Sequence, residues 1–489
     1  MKRSETHTFL LRCLVVALLP FPLAGQSSSQ DQTVQELRRQ LDALRSQMEA
    51  QAKIMNQLQD RIDELEKSAK PAAGPNVAGT VSEAQSNTPP AQSTGQVGAA
   101  TTAYQTFSED SLAAARVDNA PLDPRYPGFF RLPGTSTFLK IGGYFKTDLL
   151  YDGKPAGDPE RFIPSSFPVG VPSVNNATVS IRPSRMSLDF RIPVAALGDA
   201  RFFVEADMFG SNATTPRLRH LYTQAKNFLI GQTFSNFMDP DASPDQLDFQ
   251  QPNSQVLLRN PQLRYTFKLG AKTSLAIALE KASSDIAFKT PEFSALPNAP
   301  APDGTIRFRH EYAAGHIQLA SLLRSVAAYL PNGASDQVFG WGLSLSGAQR
   351  IVGKDTLVYQ VAYGAGIERY LNDESGLGED AAVVSDTQRY LRALPTVAPY
   401  FGYQHWWLPK VRSNIIYGFT QINNTAYQPG SSYHKSHYMA GNLIWNVFGS
   451  LNVGTEFLYG WAVRKDNSSA NAPRLMFSAK YDLNFVRNQ

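Results

Sequence analysis

Cysteine is almost missing from this 489-residue chain; the one present is Cys13. It falls in a leader expected to be removed. The mature chain would then hold none, which excludes a disulfide scaffold, a Cys-ligated zinc site and a Cys nucleophile. Long apolar runs are missing too. No stretch reaches the ~18–20 consecutive apolar residues of a spanning helix, so a helical membrane protein is excluded. Charge of one sign is not in surplus: 46 basic against 42 acidic residues leave a net +4, too near balance for a nucleic-acid binder. Gly364-Ala365-Gly366 lies in an alternating stretch with no helix after it and is not a dinucleotide loop. Aromatic residues are plentiful: 28 Phe, 20 Tyr and 5 Trp argue against wholesale disorder.

The first part of the chain divides into three segments. Residues 1–25 read as a signal peptide, with Lys2, Arg3 and Arg12 before an apolar core that begins at Cys13-Leu14-Val15. Residues 31–70 carry heptads. Val34, Leu41, Met48, Met55 and Ile62 form one seam; Leu37, Leu44, Gln51, Leu58 and Leu65 form the other. Five heptads predict a coiled coil, and so narrow a stripe buries itself only by self-association. Residues 71–130 predict a flexible linker, poorest in large apolar side chains between Pro71 and Thr102.

From Thr135 to Gln489 the period is two. Met186, Leu188, Phe190 and Ile192 alternate with Arg185, Ser187, Asp189 and Arg191; Phe202, Val204 and Ala206 alternate with Arg201, Glu205 and Asp207. The last strand sets Leu475, Phe477, Ala479, Tyr481, Leu483 and Phe485 against Ser478, Lys480, Asp482 and Asn484. A soluble core cannot accept charges on the second face, whereas a barrel with lipid outside and water inside suits both faces and leaves no edge. At roughly 20–23 residues per crossing with its share of turn and loop, 135–489 predicts an all-β transmembrane barrel of about 16 antiparallel strands. Parity cannot be assigned near Arg217–Gln224 and Ala314–Arg324. A strand is expected over Phe228–Phe237. Asp239 and Asp241, just after it, open a loop that either folds into the lumen as a constriction or lies outside.

The inward parity near the barrel's start is rich in Arg: Arg185, Arg191, Arg201 and Arg264, with Arg182 and Arg219 as further candidates and Asp189, Glu205 and Asp207 on the same faces. In a wet lumen such a lining concentrates small anions; the alternative is that acids and bases pair across strands and stiffen the wall.

Several runs carry a family resemblance: Ile141-Gly142-Gly143-Tyr144, Arg182-Pro183-Ser184-Arg185, Val204-Glu205-Ala206-Asp207-Met208-Phe209-Gly210, Leu218-Arg219-His220-Leu221-Tyr222, Asn260-Pro261-Gln262-Leu263-Arg264-Tyr265 and Gly366-Ile367-Glu368-Arg369-Tyr370. With the order of leader, coil, linker and barrel, the chain resembles the DcaP-like trimeric porins of Gram-negative outer membranes. The resemblance implies a 16-stranded barrel in the outer membrane, three per assembly, with the N-terminal helices bundled in the periplasm. It also implies diffusion of small anionic solutes such as dicarboxylates past an Arg-lined constriction. Arg185, Arg191 and Arg264 are carried over as pore lining, with Arg201 and Arg219 beside them. The partners expected are other copies of the chain and outer-membrane lipids; no cofactor, metal or nucleic acid is expected. Two rival functions stand beside transport: a tether holding a periplasmic partner or the cell wall, and a barrel hydrolase using His405 or the His434/His437 pair.

Overall fold

The structure, a computed structural model, describes residues 128–194, 198–211, 214–286, 296–329, 335–384 and 390–483. The expected leader, the heptad seams from Val34 to Leu65, the linker up to residue 127 and Phe485 lie outside the described residues.

Sixteen long strands form the wall: β1 (Phe138–Asp152), β2 (Arg185–Val194), β3 (Gly198–Asp207), β4 (Arg217–Ala225), β5 (Phe228–Phe234), β6 (Arg259–Lys268), β7 (Thr273–Glu280), β8 (Asp303–Tyr312), β9 (Gly315–Tyr329), β10 (Ser335–Arg350), β11 (Thr356–Ala365), β12 (Pro395–Leu408), β13 (Val411–Ile422), β14 (Tyr433–Phe448), β15 (Leu451–Arg464) and β16 (Ser469–Asp482). Each pairs antiparallel with the next, and the ring closes where β1 takes β2 on one side (Tyr144↔Arg185) and β16 on the other (Asp152↔Arg474). Closure satisfies every ladder and removes the edges, as a wall immersed in lipid requires. Sixteen strands also enclose more space than wall side chains alone can fill.

The two-residue period sorts the faces. Phe145, Leu149 and Tyr151 of β1 are about half exposed, Phe145 at 55%, while Tyr144, Lys146 and Asp148 between them are buried. This is inverted relative to a soluble protein and correct for one whose outer solvent is acyl chain. Short links such as Lys226-Asn227, Ala313-Ala314, Pro409-Lys410 and Gly449-Ser450 join strands at one rim; connections 153–184, 235–258, 281–302 and 366–394 leave the other.

Where periodicity was unreadable, the cause is local. A bulge in β4 sets His220 opposite Glu205 and Leu218 opposite Ala206, so Arg219 and His220 both point inward. In β9 the inward set mixes His316, Gln318 and Arg324 with Ala320 and Leu322, because a loop packs on that part of the wall. The strand expected over Phe228–Phe237 ends at Phe234: Ser235 already turns inward, its Oγ bonding Glu280 Oε1 at 2.9 Å. Gly143 has φ +117°, and a Cβ there would stand 2.2 Å from the Arg185 carbonyl oxygen. Only glycine lets β1 lie this close against the start of β2 and so fix where Arg185 leaves the wall.

Candidate functional site: an inward loop and a cationic bore

The 235–258 connection leaves β5 and crosses to the opposite wall. Asp239, 2% exposed, accepts from Arg309 Nη1 of β8 (3.2 Å) and Ser346 Oγ of β10 (2.8 Å), and its Oδ2 lies 2.8 Å from His316 Nε2 of β9. Asp241 takes Arg309 Nη2 at 2.6 Å. Further along, Asp245 Oδ2 is held by Arg412 Nε of β13 (2.6 Å) and Gln404 Nε2 of β12 (2.8 Å). The Leu247 and Asp248 amides donate to Glu456 of β15, and Lys146 Nζ of β1 donates to the Leu247 carbonyl at 2.7 Å. Gln360 of β11 fixes the returning limb, accepting from Val256 N–H and donating to the Ser254 carbonyl. Inward glycines make room. A Cβ on Gly402 would meet Pro244 at 2.9 Å, and one on Gly418 would meet Asn253 Oδ1 at 2.4 Å. Phe237, Met238 and Val256 bury against Leu322, Ala362, Ala398 and Tyr370, so the loop has its own apolar core inside the barrel.

Other connections fold in around it. Phe162 and Phe167 of the first loop pack edge to face, 5.2 Å between centroids, on the Tyr438 side of the bore. Arg474 of β16 grips Asp152 with Nε and Nη2 at 2.5 and 2.9 Å. Arg324 of β9 pairs with Asp380 of the 366–394 connection (2.9 Å) and with Asp303 (3.6 Å), all three inaccessible to solvent at their side chains.

Burial raises Asp248 and Asp373 to about 6 each, the charge of Arg474 opposing this for Asp248 and hydrogen bonds from Ser436 and Ser165 opposing it for Asp373. An acid with a raised folded value binds its proton more tightly folded than unfolded, so the burial cost is present above about pH 6 and disappears as pH falls through it. Acidification from pH 7.5 to 5 is therefore expected to raise the protection of amides in 235–258 and 366–384 against exchange, measured relative to the intrinsic rate at each pH. Protection that falls or stays level over that interval would contradict this assignment. Asp239 behaves in the opposite sense. Burial would raise it, but His316, Arg309 and the Ser346 hydroxyl hold it below the ordinary carboxylate range, so its anchor persists through this window and is lost only in stronger acid.

Among the described residues, cavities lie open on either side of Phe249 of the loop. The larger, about 240 Å³, is lined by Arg161, Arg185, Arg217, Arg219 and Arg259 and by no carboxylate. The smaller, about 70 Å³, holds Lys146, Lys480 and Tyr144 with Asp245 and Asp248 of the loop. Arg185, Phe249 and Gln251 line both.

The structure separates the residues singled out from sequence. Arg185 and Arg219 reach the larger cavity. Arg219 is also tied to Glu205 (2.8 Å) and Asp207 (2.9 Å), and Asp207 binds Arg217 at 2.7 Å. Arg191 and Arg201 both clasp Asp189, at 3.2 and 2.8 Å, and line neither cavity. Arg264 donates to Gln262 Oε1 (2.9 Å) and to the Phe234 carbonyl (2.7 Å), pinning the root of the inward loop. Asp239 and Asp241 sit in that loop, within the barrel. Sequence reading missed Arg217, hidden by the β4 bulge; Arg259, on the parity opposite Gln262 and Arg264; and Arg161, Phe249, Lys146 and Lys480. For Lys146 and Lys480 the signal was available, since both share the inward parity of their strands.

The histidines do not converge. His405 Nδ1 lies 2.7 Å from Asp355 Oδ2 near a short-link rim, His434 faces Asn424, and His437 stacks on Trp461. Among the described residues no three His, Cys, Asp or Glu side chains could hold a metal ion.

A closed sixteen-stranded barrel, apolar outside and carrying an inward loop, defines a porin-like channel of the outer membrane. The family model for the DcaP outer membrane protein matches residues 137–482, and the chain belongs to that family. Among solved structures it is similar to the outer membrane channel DcaP of Acinetobacter baumannii, with a TM-score of 0.65 and 23% identity over 72% of this chain and 99% of that one; this likeness shows the fold. The anion-selective porin from Comamonas acidovorans overlaps with a TM-score of 0.46 at 10% identity, covering 71% of this chain and all (100%) of that one. OmpT of Vibrio cholerae reaches 0.45 at 10% identity, over 72% and 99%. Both overlaps are too loose to argue from. No curated protein matches the chain. The barrel is thus an outer-membrane porin, and its long connections face outward by the usual build of such barrels.

Proposed function

We propose that the channel conducts small anionic solutes by passive diffusion, with dicarboxylate-like molecules the class that fits. One observation carries the reading: five arginines and no carboxylate line the larger cavity. Arginine keeps its charge at any working pH and takes a carboxylate edge-on through two N–H groups. In a confined lumen with low-dielectric walls the field of several such groups raises the local anion concentration. Arg191, Arg201 and Arg264 serve the wall and the loop root in this reading, while Arg185, Arg217, Arg219 and Arg259 face the solute. The protein works as a homotrimer with its N-terminal segment in the periplasm; the five-heptad seam supports this, and removal of residues 26–105 tests whether the seam is required. In planar bilayers under a salt gradient the reversal potential is expected to report anion preference, and Arg259→Glu to shift it toward cations. Cation preference in the unaltered protein would end this reading.

A further inference from the structure

Many of the bore's arginines are held by carboxylates: Arg191 and Arg201 by Asp189, Arg219 by Glu205 and Asp207, Arg309 by Asp239 and Asp241, Arg412 by Asp245, Arg474 by Asp152. Arg185 is held differently. The nearest carboxylate oxygen, of Glu205, is 3.9 Å away, and its Nε and Nη1 make no hydrogen bond although both are buried. Its guanidinium instead lies over two rings, 5.3 Å from the Tyr144 centroid and 5.5 Å from that of Phe249. Ring faces fix the plane of a guanidinium while leaving its N–H edge unoccupied. Arg185 is also the one cation common to both cavities.

Phe249 is the apolar side chain that lines both cavities. Its ring is stacked on Phe209, 4.4 Å between centroids at 23°, and the Arg219 guanidinium stands 5.7 Å from its centroid. Phe209 in turn carries Arg182 at 4.6 Å and Arg217 at 5.4 Å. The ring is thus held in place by a stacked partner behind it and cations around it, on a loop anchored to the far wall.

From this we infer that Phe249 is the septum of the channel and Arg185 its transfer point. A solute collected among the outer arginines must pass the Phe249 ring to reach the Lys146 and Lys480 compartment, and the free N–H edge of Arg185 binds it during that passage. The inference rests on the anion-channel reading for Arg185 but not for Phe249. A ring standing between two cavities limits passage of either charge, and a site that binds too well would not let the solute leave. The π-held Arg185, with no carboxylate locking it, fits a role of brief capture and release.

The test uses the full mature protein in planar bilayers. Phe249→Ala is expected to merge the cavities and raise single-channel conductance about twofold or more, with the reversal potential unmoved. Phe249→Trp is expected to lower conductance, which separates a septum from a loop that has merely come loose. Arg185→Gln should weaken anion preference and shorten the dwell of a blocking dicarboxylate such as succinate, without the conductance rise of Phe249→Ala. Unchanged conductance in both Phe249 variants would overturn the septum. Unchanged preference and dwell in Arg185→Gln would overturn the transfer point. Cation preference in the unaltered protein would overturn the anion reading and Arg185's role with it, while the Phe249 conductance comparison would still decide the septum.

Discussion

Asp239→Ala is expected to unseat the inward loop and convert a steady pore into one of larger, noisier conductance. The carboxylate binds strands β8, β9 and β10 at once, through Arg309, His316 and Ser346. Removing it leaves a buried guanidinium with Asp241 and the partly exposed Glu311 as its remaining acids. Losing one member of a buried charged pair costs on the order of 3 kcal/mol, because the surviving group keeps its desolvation cost without its partner. The loop keeps its attachments at Asp245, Leu247 and Val256, so it should fluctuate within the bore rather than leave it. Single-channel recording should show flicker and a higher mean current, and limited proteolysis should cut within 235–258. Asp239→Asn, which preserves shape but not charge, should fall between. A quiet pore of unaltered conductance in Asp239→Ala would show that the loop is held by its other contacts alone.

The second large effect concerns Arg324. It stands between Asp303 at the start of β8 and Asp380 in the 366–394 connection, and also donates to the carbonyls of Gly366 and Ser283. Arg324→Ala would leave the solvent-inaccessible carboxylates of Asp303 and Asp380 without the cation between them, and would remove a donor from each of two carbonyls. The cost is again about 3–5 kcal/mol, and it falls on the outer connections because the ladder of β9 does not depend on this side chain. Faster exchange in 281–286 and 366–384 with the wall strands unaffected is the expected pattern. Arg324→Ala with Asp380→Ala together should recover part of the loss, since the pair is then removed as a unit. A global fall in barrel stability would instead make Arg324 part of the wall's own support.

Barrel, strand number and outward face could be read from sequence because a wall between two solvents imposes the plainest pattern a strand can carry. Met186, Leu188 and Ile192 against Arg185, Asp189 and Arg191 say which side is which before any coordinate is known. The site was only half legible. Alternation tells that Arg191, Arg201 and Arg264 point inward but not what they meet, and they meet Asp189, Gln262 and a backbone carbonyl. Whether an inward arginine faces solute or a carboxylate depends on pairing between strands and on where loops land, which is long-range information. The fold of 235–258 shows the same limit. Asp239 and Asp241 were read as a loop that lies inside or outside with equal reason, and the deciding partners, Arg309, His316 and Arg412, come from strands much later in the chain. A signal for them existed in hindsight: Gly402 and Gly418 on the inward face of long strands mark where another segment needs space.

The order in which these anchors are synthesised has a consequence for biogenesis. The segment that fills the lumen emerges after β5, but what holds it arises from β8 through β15, and its Lys146 tie comes from β1. A cylinder zipped shut first would take in a chain carrying Phe237, Met238 and Leu247 through its mouth, exposed to water until they pack. Enclosure of the plug while the sheet is still open spares that exposure, and the seam between β1 and β16, locked by Arg474 on Asp152, then closes over a packed interior. A polypeptide cut short before β15 would keep the apolar seat on β9, β11 and β12 but lack both the seam and the Glu456 anchor of Leu247 and Asp248, leaving the second half of the plug untied.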